Sequence, residues 1–76
     1  MTPEIAAKVD ADFVADEREE AADYLRLLED ELHHEENPRI LRCVISLAQG
    51  DLARLVHFAD QARQDWRDVI YWAEYG

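Results

Sequence analysis

Seventy-six residues, 49% of them hydrophobic, with a formal charge of −10, make one small folded domain rather than a disordered chain. The negative surface repels phosphates, and no apolar run approaches the ~20 residues that span a bilayer, so the expected partners include no nucleic acid and no membrane. Cys43 is the single cysteine; with no internal disulfide and no basic-then-apolar leader, the expected location is the cytoplasm.

Apolar residues recur at helical spacing throughout and strict alternation is absent, which predicts an all-α domain, a small bundle of about four helices. Thr2 is placed to cap the first helix and Pro3 to open it. No Gly or Pro interrupts residues 4–36, so a long, acidic N-terminal helix is expected over about 3–35. Residues 1–36 hold thirteen Asp or Glu against three Lys or Arg, whereas residues 37–76 hold five of each. The whole net charge therefore belongs to the first half.

Such a helix would be about 50 Å long at 1.5 Å per residue, against about 23–30 Å for a globule of this length. Its apolar stripe also changes face. Ile5, Val9 and Phe13 share one side, while Ala21, Leu25, Leu28 and Leu32 lie roughly 100° further round. Either the chain breaks near the capping-box-like Asp16-x-x-Glu19, or the projecting half packs against a second subunit. The lack of helix breakers favours the second, hence a homodimer, which would use either the Ile5, Val9 and Phe13 stripe or a face carrying Tyr71 and Tyr75.

The helix ends in Glu29-Asp30-Glu31-Leu32-His33-His34-Glu35-Glu36-Asn37. Glu31 and His34 are three apart, the spacing by which helical bundles supply carboxylate and imidazole to a metal from one face. His57 and Asp60 repeat it further on, so Glu31, His34, His57 and Asp60 form a candidate metal site and a metal-binding protein is the alternative function. The structural reading is that His33 and His34 are ordinary residues of a last helical turn, where the dipole favours imidazolium. Glu17, Glu20 and Asp23 give a Glu-x-x-Glu-x-x-Asp spacing suited to magnesium, but a second helix with matching carboxylates is missing. No cofactor and no catalytic residue is assigned: Ser46 lacks the glycines of a nucleophile elbow, and no glycine-rich phosphate loop exists.

Asn37-Pro38 starts the next helix, over 38–49. Ile40, Leu41, Cys43, Val44, Ile45, Leu47 and Ala48 cover more than half of its circumference, the pattern of a central helix. Gly50 ends it and Asp51 caps a third helix, 51–63, whose Leu52, Leu55, Val56, Phe58, Ala59 and Ala62 form one broad face. Asp65-x-x-Asp68 signals a break before a last helix, 66–75. There Trp66, Val69, Ile70 and Ala73 face inward with Trp72 at the edge, whereas Tyr71 and Tyr75 stand together on the polar side. Paired tyrosines among charges suit an interface.

The C-terminal half, with Gly50-Asp51-Leu52 followed by Asp65-Trp66-Arg67-Asp68-Val69, resembles short bacterial proteins of no assigned activity, and that resemblance implies no chemistry. The sequence reads as a non-enzymatic interaction protein, a homodimer or the partner of a basic protein, for instance as a mimic of nucleic-acid charge.

Overall fold

The Thr2 hydroxyl accepts a hydrogen bond from the Ile5 N–H at 3.2 Å and Pro3 occupies the first turn, so the first helix starts where its caps dictate. The computed structural model describes residues 1–33 and 35–76. It contains α1 (Pro3–Asp12), α2 (Ala15–Leu32), α3 (Asn37–Ala48) and α4 (Leu52–Glu74), with no strand among the described residues. The fold is a small all-α bundle.

The expected unbroken helix over 3–35 is two helices. Phe13 and Val14 are both extended, at φ −109°, ψ 145° and φ −65°, ψ 155°. The break lies just before Asp16, and Val14 supplies no side-chain cap. Backbone groups take over that role. The Phe13 N–H donates to the Val9 carbonyl at 3.0 Å, and the Glu17 N–H to the Val14 carbonyl at 2.9 Å. The Arg18 Nε donates to the Phe13 carbonyl at 3.0 Å.

The cause is tertiary. One straight helix cannot turn two stripes about 100° apart toward one core, and two extended residues re-aim α1 so that both stripes are buried. Ile5, Val9 and Phe13 join Ala21, Leu25 and Leu28 in a single apolar cluster. These three were expected at a subunit interface, and this is a correction: their own chain covers them almost completely. The protein measures 30 × 24 × 19 Å, so no helix among the described residues projects from the bundle as an unbroken 3–35 helix would.

Helices α2 and α3 each contact all the others, while α1 and α4 lie apart on either side of them. Ion pairs give the directions. The N-terminal amine meets Glu29 at 3.0 Å, so α1 runs antiparallel to α2. Glu4 meets Arg42 at 2.7 Å, and Gly50 approaches the Asp12 carbonyl, so α1 and α3 run parallel. In α3, Ile40, Leu41, Val44, Ile45 and Ala48 are fully buried, as a central position demands. At the C-terminal end of α3, Gln49 and Gly50 both take the left-handed conformation, at φ 53° and 78°.

Asp51 then caps α4 by accepting from the Arg54 N–H at 3.2 Å. The two expected helices, 51–63 and 66–75, adjoin within α4 at Asp65, which is extended (φ −158°, ψ 99°). Its carboxylate accepts from the Arg67 N–H at 3.1 Å and so caps the second part. The bend is sharp. Residues 58 and 72 would be about 21 Å apart in a straight helix, yet the Phe58 and Trp72 rings meet edge to face at 6.3 Å. No helix among the described residues is long and apolar enough to cross a membrane.

Candidate interaction surfaces

The bend in α4 decides what its last turns display. Val69 and Ile70 point into the core, and Trp66 and Ala73 pack against it. Tyr71 and Tyr75, one turn apart, are left outside with 60% and 73% of their surfaces exposed. Their rings lie 5.8 Å apart, tilted by 35°. Trp72 is 38% exposed. It clasps Phe58 across the bend and still offers one edge to solvent beside the tyrosines. The periodicity separated the tyrosines from the core but did not announce how much of Trp72 would be open, because that depends on the angle at Asp65.

Ion pairs frame this end of the molecule. Arg39 holds the Glu74 carboxylate in a two-pronged bond, Nε at 2.8 Å and Nη2 at 2.6 Å, and ties the last turn of α4 to the first turn of α3. Hydrogen bonding to Arg39 pulls the Glu74 carboxyl below its ordinary value, and Glu74 raises Arg39 in return. The Cys43 thiol lies 3.8 Å from the same carboxylate. Burial first, and the Glu74 charge second, push this thiol up, so it stays protonated and packs as a small apolar group.

A second surface lies on α2. Leu27 is 50% exposed in the midst of carboxylates. Together with Tyr24, Glu20 and Asp23 it lines an open depression. Tyr24 is half-buried and rests against the core. Neither residue was singled out from sequence, although Leu27 falls off the Leu25–Leu28–Leu32 stripe, and that mismatch was its signal.

The candidate metal residues are placed as follows. Arg63 bridges Glu31 and Asp60, bonding the latter at 2.6 Å, so both carboxylates already face one guanidinium. His57 stacks edge-on against Phe58 at 5.0 Å. His34 lies outside the described residues. Among the described residues no three or more of His, Cys, Asp and Glu converge to hold a metal ion. The cation there is the protein's own, and the contact joins the C-terminal end of α2 to the middle of α4.

No protein-family model, no curated protein and no solved structure matches the chain.

Proposed function

We propose that this protein is a non-enzymatic interaction module that self-associates through the aromatic end of α4. The observation that carries this reading is the joint exposure of Tyr71, Tyr75 and the edge of Trp72 on one short helical stretch. Tyrosine and tryptophan give wide, rigid contact area at little entropic cost, which is why they dominate interface energetics. The charge distribution supports a second copy as the occupant. Two molecules that each carry −10 repel through their acidic α1–α2 sides, whereas residues 37–76 hold equal numbers of acids and bases. The neutral half is therefore the side by which two copies approach most easily. Every buried side chain among the described residues is apolar, so the polar groups lie in the solvated surface, where a partner can meet them. The single, free Cys43 suits a reducing, cytoplasmic setting.

Sedimentation or light scattering across a concentration series tests the reading. A dimer that Tyr71→Ala with Tyr75→Ala converts to a folded monomer is the expected result. A wild-type protein that stays monomeric at the highest attainable concentration overturns it. If the double variant unfolds, the tyrosines serve the fold and the surface assignment fails. Elemental analysis of untagged protein bears on the alternative: a bound transition metal would reopen the site of Glu31, His34, His57 and Asp60.

A further inference from the structure

The outer row of α2 is the surface that the fold explains least. Asp16, Glu20, Asp23, Leu27 and Asp30 are all exposed. Their 4-3-4-3 spacing sets them in one line along the helix, the spacing at which one helix meets another. Like charges so arranged repel one another. Neutralisation from within the chain is slight. Asp23 pairs with Arg26 at 3.1 Å in the open. Asp16 and Glu20 make no ion pair with any described cation. Between Asp23 and Asp30 in this row stands Leu27, half exposed, beside the depression it forms with Tyr24, Glu20 and Asp23.

We propose that this row is a docking face for a basic amphipathic helical segment of another protein. An apolar side chain of that segment seats on Leu27 and Tyr24, while its lysines or arginines face Asp16, Glu20 and Asp23. Charge complementarity selects the occupant. A second copy meeting it by the same face brings the same negative charge, its charge-balanced half offers no net positive charge, and nucleic acid and anionic lipid are repelled. A small cation would satisfy the carboxylates and leave Leu27 uncovered, whereas a basic helix with an apolar stripe answers both features at once. The face uses none of the residues of the α4 aromatic end, so it stands whether or not the chain self-associates.

Fluorescence anisotropy with the full chain and two labelled peptides tests this. One peptide carries Leu and Lys at helical spacing, and the other carries Lys without Leu. The Leu–Lys peptide is expected to bind the more tightly. Leu27→Gln, which retains a good helix former, should weaken it about tenfold while the far-UV circular dichroism is unchanged. Glu20→Gln with Asp23→Asn, on exposed positions, should weaken it as well and reduce its salt dependence. Tyr71→Ala with Tyr75→Ala should leave it untouched. Equal binding of both peptides would mean diffuse charge attraction and overturn the proposal. So would full affinity in Leu27→Gln, or a loss confined to the tyrosine variant.

Discussion

The two halves of this molecule bury the same kind of core and present opposite surfaces. Residues 1–36, which form α1, α2 and the link that follows, hold all of the net charge, and outside their apolar stripes they are rich in carboxylates. Residues 37–76, which form α3 and α4, are balanced in charge and end in exposed aromatics. The halves also turn corners differently. At Asp65 a side chain makes the break, because its carboxylate takes the N–H that a new helix leaves unpaired. At Phe13–Val14 the N-cap residue Val14 offers no side-chain cap, Arg18 only braces the Phe13 carbonyl from the next turn, and the break exists because two apolar stripes must reach one core. Local chemistry sets one corner and tertiary packing sets the other, and each corner decides which surface its half can offer.

The widest test of this contrast is Ile5→Ala. If α1 is held by core packing alone, removing a fully buried isoleucine should cost about 2–5 kcal/mol. A domain of this size has a total stability of about 4–11 kcal/mol, so thermal denaturation followed by circular dichroism should show a large fall in Tm or a chain already unfolded. Should Ile5→Ala melt like the wild type and lose only association, α1 would be an interface helix after all and the contrast would collapse.

How much of this could be read from the sequence follows from the same contrast. The caps at Thr2, Asp51 and Asp65 and the turn at Gly50 were legible because each is a short-range requirement met by a neighbouring residue. The central position of α3 was legible from its wide apolar arc. The corner at residues 13–14 was not, because neither Phe13 nor Val14 is a breaker and both adopt backbone angles open to any residue. The shift of stripe between Phe13 and Ala21 was its trace, but a shift of stripe fits a second subunit as well as a break. The Tyr71–Tyr75 pair was visible on the wheel. Leu27 and the open edge of Trp72 emerged only once the helices were placed. The pairing of Glu31 and Asp60 with Arg63 was hidden too, since thirty-two residues separate Glu31 from Arg63.

A smaller effect is expected where the halves touch, at Gly50. Its φ of 78° disfavours any side chain, and an added Cβ would come to 2.6 Å from the Asp12 carbonyl oxygen, a backbone atom with little freedom to retreat. The left-handed conformation alone costs about 1–2 kcal/mol, and the clash adds to it, so Gly50→Ala should lower the urea midpoint clearly. Gln49, its neighbour, is left-handed too, at φ 53°, but exposed. Gln49→Gly should therefore raise stability, by up to about 1 kcal/mol. Opposite signs at adjacent positions would fix the α3–α4 corner as a backbone device, and equal responses would break that account.

The smallest effect expected belongs to the pair that joins the ends of α3 and α4 beneath the aromatic patch. Arg39 holds the Glu74 carboxyl below its ordinary value of 4.5. A depressed carboxyl stabilises the fold above the value it has when unfolded, and that contribution disappears as pH falls through the folded value. The pair is open to solvent and screened by salt, so its share is modest. Urea midpoints of the wild type and Glu74→Gln should differ at pH 7 and draw together as the pH is lowered past 4.5, with the gap at pH 7 narrowing in high salt. A gap that persisted undiminished in acid would show that Glu74 acts through packing rather than charge. Because Glu74 lies between Tyr71 and Tyr75 in the last turns of α4, loosening it should also weaken any association made by those rings. Scattering of Glu74→Gln beside the wild type at pH 7, where the net charge of the chain is nearly the same in both, reads the same contact from the outside.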